Sequence, residues 1–272
     1  MEMLGVPTLG IGDELPDFAA ETLTGKLIVH DWVLDAQSHK DGEEVYTLVL
    51  TFPGLQNPVS ASEFAWLGSP ETHALLAARM CRVLCVCTTG LYELKTFLSD
   101  VPELLDVEDF SLSGGGSGGG DVVEVLCDED GEYQRLLGCV RPGSEDASRG
   151  RVPSLLSLVV NPRKEILSRS EYASTSGRNF MEMLRSLDSM RVTQLFPRLG
   201  TWANWQAGGQ EGMLVLPSLE DGSVLSDEEC DHLFPKGKFE CLFPWFRITP
   251  VPDLPGGDNG QADGQLAVVD DG

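Results

Sequence analysis

The chain has 272 residues, enough for one large or two modest domains, and 42% of them are apolar, as in ordinary globular proteins. Its charge is less ordinary: 19 Lys plus Arg against 43 Asp plus Glu leave a net −24. Such a surface repels phosphate, which argues against nucleic acid and anionic membrane as partners. Its simplest role is to keep the protein soluble, and its sharper reading is a basic protein partner.

No window approaches the run of about 20 apolar residues that crosses a bilayer. The opening "MEMLGVPTLGIGDELPDF" lacks a basic start, a sustained apolar run and an Arg-rich amphipathic pattern, so neither a secretory nor a mitochondrial presequence is expected. Seven cysteines, an odd number, fit reduced thiols and a cytoplasmic location.

In chain order, "EEVYTLVLTF" (43–52) reads as a buried strand, "PGLQNP" as a turn and "VSASEFAWL" as the start of a helix. At "GSP" (68–70) that helix should stop: Gly68 ends one segment, Ser69 caps the next and Pro70 suits its first position. "ETHALLAARM" is then a helix, "CRVLCVC" a short buried strand and "TTGLYELKTFLSD" another helix. The segment 111–121, "SLSGGGSGGGD", contains a formal G-x-S-x-G match, but glycine and serine flank it where a nucleophile elbow needs a strand and a helix; it reads as a flexible linker. "VPSLLSLVVNP" (152–162) and "RKEILSRSEY" form a hairpin, and "TSGRNFMEMLRSLDSM" is an amphipathic helix with Phe180, Met183, Leu184 and Leu187 on one face and a Ser or Thr at its start. After residue 193 the chain turns rich in Trp, Pro and Gly, as for a smaller appended domain, and the tail from Asp253, with five acidic and no basic residues, is expected to be disordered. Alternating strands and helices with a hairpin point to an α/β sandwich.

Several motifs together resemble the one-cysteine peroxiredoxins, the peroxiredoxin 6 type with a C-terminal dimerisation domain. "LGIGDELPDFAAETLTGKLIVHDWV" is similar to that family's opening strands, and "YASTSGRNFMEMLRSLDSM" to its Y-P-A-T-T-G-R-N-F helix start. "TWANWQAGGQ", "LVLPSLEDG" and "DEECDHLFPKG" match its C-terminal domain in order, so the similarity spans roughly residues 9–252. The resemblance implies a thioredoxin-like domain over 1–193, a small α+β dimerisation domain over 194–252, an acidic tail over 253–272 and a homodimer.

The family's reactive groups do not carry over. Its motif P-x-x-x-T-x-x-C stands here as Pro53-Gly-Leu-Gln-Asn57-Pro-Val-Ser60, with Asn57 at the threonine position, Ser60 at the peroxidatic cysteine position and Phe52 at the preceding histidine. Leu155 matches the catalytic arginine, and Arg151 would need a register shift to replace it. Peroxide reduction requires a thiolate that attacks the O–O bond and becomes a sulfenic acid, and a serine hydroxyl neither ionises near pH 7 nor has that redox ladder. The lipase-like G-D-S-W-G segment of some relatives is replaced by "LDAQSHKDGEE" (34–44). Pro53, Asn57, Ser60, Leu155 and Arg178 therefore read as a vestigial site, with Arg178 of "GRNF" retained to order the loop around Ser60.

The remaining candidates are weaker. Cys85 and Cys87 share one face of a strand and read as buried small hydrophobes, while Cys87, near the strand's C-terminal end, is the alternative redox thiol. "CVC" has no second ligand pair for zinc, so neither metal nor cofactor is expected. His30 should satisfy a local hydrogen bond, and His73 and His232 should be exposed. The "FPWFR" cluster (243–247) reads as core or dimer interface of the small domain, with a partner-binding patch as the second reading. Two classes of function follow: a catalytically inactive peroxiredoxin-like protein serving as a binding or structural subunit, or a thiol-dependent peroxidase or redox protein using a displaced cysteine such as Cys87.

Overall fold

The structure, a computed structural model, describes residues 9–34, 44–105, 108–112, 122–139, 154–209, 212–216, 223–233 and 239–251. Most of the expected linker 111–121, most of the polar loop 34–44, Arg151 and the tail from 253 lie outside them. The chain divides into two compact units, Met1–Met183 and Leu184–Gly272.

The first unit is built on a seven-stranded mixed sheet. Its strands are β1 (Ala19–Thr22), β2 (Lys26–Ile28), β3 (Tyr46–Phe52), β4 (Cys81–Cys87), β5 (Val123–Cys127), β6 (Leu155–Val160) and β7 (Ile166–Tyr172), in the spatial order β2-β1-β5-β4-β3-β6-β7. The central β3, β4 and β5 are parallel and the outer pairings antiparallel. Every residue of β3, β4 and β6 is buried, as expected of central strands covered on both faces. Side chains alternate between the faces. Val49, Leu84, Val86, Leu126, Leu156 and Leu158 join one cluster with Val29 and Val33 of α1 (Val29–Leu34) and with Tyr133 of α5 (Glu132–Leu136). Phe52 points to the other face and meets Phe64 of α2 (Pro58–Leu67), which meets Phe97 of α4 (Leu91–Leu105).

The turns follow the residues that dictate them. Asn57 caps α2, Pro58 begins it and Gly68 closes it; Ser69 then caps α3 (Pro70–Ala77), with Pro70 in its first turn. At Gly68 a side chain is excluded, since a Cβ there would lie 2.2 Å from the ring of Phe110. Two expectations shift. Helix α4 runs through Pro102 to Leu105, beyond the stretch read as helical. Helix α6 (Phe180–Leu195) starts at Phe180, and its first turn is capped by Asn179, whose Oδ1 accepts from Glu182 N at 3.1 Å, rather than by a Ser or Thr.

The second unit carries a four-stranded antiparallel sheet, β10 (Glu240–Phe243), β11 (Phe246–Thr249), β9 (Met213–Val215) and β8 (Leu199–Gly200) in that spatial order, with α7 (Asp227–Leu233). Val192, Leu199, Trp205, Met213, Val215, Leu225 and Cys230 form its core. Arg247 is buried and bonds Asp227 Oδ1 at 3.0 Å as well as the carbonyl of Leu225.

Candidate functional site

The C-terminal end of β3 opens into the segment that should hold the reactive group. Asn57, in extended conformation (φ −147°, ψ 153°), accepts from Ser60 N through Oδ1 at 2.9 Å. Its amide Nδ2 donates to the Gly54 carbonyl at 2.8 Å and to Ser60 Oγ at 2.9 Å. Ser60 Oγ in turn donates to the Gly54 carbonyl at 2.9 Å, and its residue is only 2% exposed. The hydroxyl thus sits in a closed triangle with a carbonyl and an amide, neither of which is a base. Nothing in this triangle can take its proton, so it gains no nucleophilicity.

Leu155 begins β6 and is buried. The β3–β6 ladder pairs Leu50 with Ser157, and continued by two residues it sets Leu155 opposite Phe52. On the other side of Phe52 the register passes to Cys87 and from Cys87 to Cys127. Leu155, Phe52, Cys87 and Cys127 therefore form one rung across four strands, on the face that packs against α2 and α4. Where this rung meets the reactive segment it is apolar.

Arg178 stands over that rung, its guanidinium carbon 4.4 Å from the centroid of Phe52. Its hydrogen bonds do not go to the Ser60 loop. Nε donates to Glu63 Oε2 at 2.9 Å, Nη2 lies 2.7 Å from the same oxygen, Nη1 donates to the Leu156 carbonyl at 3.0 Å and Nη2 to the Thr51 carbonyl at 3.1 Å. The backbone N–H of Arg178 takes the other oxygen of Glu63 at 2.8 Å. Both side chains are essentially inaccessible, 0% and 3% exposed. Arg178 orders the ends of β3 and β6 and ties them to α2, and the donors so used are not offered to a ligand. Glu63 is the site residue that sequence reasoning missed. Its signal was a carboxylate one helical turn beyond Ser60, entering the apolar run Phe64-Ala65-Trp66-Leu67.

Cys85 and Cys87 are fully buried, and burial raises both thiols well above their ordinary range. Burial likewise pushes Cys139 up to about 11, and burial with Glu21 and Glu129 pushes Cys127 up to about 11. A thiol held protonated in this way is a poor nucleophile.

His30 Nε2 lies 2.6 Å from the Leu15 carbonyl, and Lys164 Nζ is 3.3 Å from its Nδ1, a local arrangement as expected. His73, expected to be exposed, is half-buried with Nε2 3.0 Å from the Leu67 carbonyl, and burial lowers its pKa; His232 is exposed. Among the described residues no group of three or more His, Cys, Asp or Glu is placed to hold a metal ion, and no helix is long and apolar enough to cross a membrane. The "FPWFR" cluster is not core: Phe243 and Trp245 are 58% and 64% exposed and stack on each other, while Phe246 is half-buried.

No protein-family model matches the chain. Individual proteins do. The chain is 26% identical over 248 residues to rat peroxiredoxin-6, covering 89% of itself and 97% of that protein. It is 27% identical over 261 residues to chicken peroxiredoxin-6 (91% and 100%) and 26% identical over 232 residues to the barley one-cysteine peroxiredoxin PER1 (85% and 92%). Among solved structures it is similar to a cysteine-to-serine mutant of Arenicola marina peroxiredoxin 6, with a TM-score of 0.70 at 25% identity over 90% of this chain and 100% of that one. A yeast mitochondrial one-cysteine peroxiredoxin superposes with a TM-score of 0.68 at 22% identity over 89% and 99% of the two chains. The chain has the thioredoxin-like fold of peroxiredoxins and is homologous to the one-cysteine, peroxiredoxin 6 type.

Proposed function

We propose that this chain is a peroxiredoxin relative without peroxide-reducing chemistry, working as a binding or structural subunit in the cytoplasm. The observation that carries the reading is the state of Ser60. At the position where the family motif has its reactive cysteine, a hydroxyl is closed into hydrogen bonds with Asn57 and Gly54. Leu155 occupies the arginine position, and Arg178 spends its donors on Glu63 and two carbonyls. Thiolate and polarising cation are both replaced at one place, while the buried Arg178–Glu63 ion pair holds the segment in shape. Selection for the fold without selection for the chemistry leaves this pattern.

The subunit acts as a homodimer, with residues 1–193 as the thioredoxin-like domain and 194–252 as the module that dimerises. Its charge of −24 favours a basic protein partner whose binding weakens as salt rises. The competing reading, a peroxidase acting through Cys87, asks a fully buried thiol with a raised pKa to meet peroxide. Peroxide consumption by the purified, reduced protein tests the proposal: hydrogen peroxide and lipid hydroperoxides should disappear no faster than in buffer. Thiol-dependent turnover well above that background overturns it, and turnover abolished by Cys87→Ser would establish the competing reading.

A further inference from the structure

The rung that joins Leu155 and Phe52 ends in two cysteines, and this pairing has no part in the reading above. Cys87 is the last residue of β4 and Cys127 the last of β5; the strands are parallel and the two residues are register partners. Register partners on neighbouring parallel strands point to the same face. Their Cα atoms are separated by about the interstrand spacing of 4.8 Å, inside the range of about 4.4–6.8 Å that a disulfide bridges. The two differ in access. Cys87 is fully buried, whereas Cys127 is partly exposed and lines an open cavity of about 260 Å³ with Phe18, Glu21, Leu91 and Glu129. Both are free thiols.

We propose that Cys87 and Cys127 form a thiol–disulfide exchange pair, with Cys127 the entry thiol and Cys87 the resolving thiol, oxidised by small disulfides. In the first step the Cys127 thiolate attacks one sulfur of a low-molecular-weight disulfide such as glutathione disulfide. A mixed disulfide forms at Cys127, and the other half leaves as a thiolate that takes up a proton. In the second step the Cys87 sulfur attacks the Cys127 sulfur, the Cys87–Cys127 bond forms as the Cys127–glutathione S–S bond breaks, and the Cys87 proton passes to the departing glutathione thiolate. Two protein thiols are oxidised and one small disulfide is reduced to two thiols. The product ties the ends of β4 and β5 together on the face that carries Phe52.

The surroundings set the rate. Burial, Glu21 and Glu129 hold the Cys127 thiol at about 11, so its thiolate fraction, and with it the first step, rises about tenfold per pH unit below that value. Exchange is therefore slow at neutral pH and accelerates as the pH rises toward that value.

The experiment uses the full chain, reduced and then incubated with glutathione disulfide at pH 8 and pH 9. Acid quenching, alkylation and peptide mass mapping then read each cysteine separately, so that glutathione on the exposed Cys241 is not confused with the pair. The expected product is a peptide linking Cys87 to Cys127, formed about ten times faster at pH 9. In Cys87→Ser the glutathione should stay on Cys127, and in Cys127→Ser Cys87 should remain a thiol. The proposal is overturned if Cys127 in the unsubstituted chain stays a thiol, keeps its glutathione or pairs with another cysteine. Should the Cys87→Ser chain fail to fold, the linkage in the unsubstituted chain and its loss in Cys127→Ser decide the matter.

Discussion

Arg178 and Glu63 form a closed ion pair: the guanidinium meets the carboxylate at 2.7 Å, the Arg178 amide covers the second oxygen at 2.8 Å, and neither side chain reaches solvent. The pair joins α2 to the segment before α6, and through Thr51 and Leu156 it also holds β3 and β6. Removing one member leaves the other charge buried without its counter-ion, at a cost of about 3–5 kcal/mol. Arg178→Ala and Glu63→Ala should each lower stability by that amount in urea unfolding. Because each already loses the whole pair, the double substitution should cost far less than the sum of the two. Additive losses would show that the pair is not the unit it resembles.

Chemistry should be recoverable only in combination. Ser60→Cys places a thiol at the start of α2, where the helix N-terminus favours its anion, but Leu155 leaves the neighbouring strand apolar. The single change should give at most weak peroxide turnover. Leu155→Arg alone has no thiol to serve, and the paired change should exceed both because the two groups act as a unit. Initial rates with hydrogen peroxide and excess small thiol measure this. A double variant no faster than Ser60→Cys would show that more than these two positions has been lost.

Elements set by neighbouring residues are legible in the chain, and those set by distant partners are not. Strands such as "YTLVLTF" and "CRVLCVC" announce themselves by continuous apolar runs, and "NP" and "GSP" mark helix starts through capping and proline, so β3, β4, α2 and α3 stand where they were expected. Strand β5 and helix α5 are short, and neither was read. Glu63 escaped because its partner is 115 residues away, and no local pattern connects them. For Phe243 and Trp245 the sequence leaves core and dimer interface open; the first fails because β10 is an edge strand with every residue exposed and Trp245, in the turn after it, is exposed as well. The pairing of Cys87 with Cys127 is a property of sheet register, which single-strand periodicity does not contain.

Asn57 tests whether the Ser60 triangle is structural. Its Oδ1 caps α2 and its Nδ2 fixes Ser60 Oγ and the Gly54 carbonyl. Asn57→Ala should cost about 1 kcal/mol from the lost cap, together with about another 1 kcal/mol from the unmade bonds around the buried hydroxyl. Asn57→Asp should recover most of the capping share, since an aspartate accepts from Ser60 N equally well and suits a helix N-terminus. Urea midpoints for the two variants check this, and equal losses in both would assign the cost to the Nδ2 bonds alone.

Alkali should destabilise the fold through its buried thiols and phenol. Burial raises Cys85, Cys87, Cys139 and Tyr133 above their ordinary ranges, with Cys139 pushed up to about 11. In the unfolded chain a thiol loses its proton near pH 8.5, so between about 8.5 and 11 the unfolded state has given up protons that the folded state keeps. The unfolded state then binds fewer protons, and stability falls as pH rises. Below about 8.5 these groups are protonated in both states and contribute no slope. Each buried thiol adds at most about 1.4 kcal/mol per pH unit within its window. Urea unfolding under reducing conditions should therefore show a plateau from pH 7 to 8 and a steepening loss to pH 10.5. Cys139→Ala removes one titrating group, so its loss should be shallower over the same interval even if its stability at pH 7 is lower. Parallel curves for the two proteins would show that Cys139 ionises alike in the folded and unfolded chains, against its burial beside Thr51.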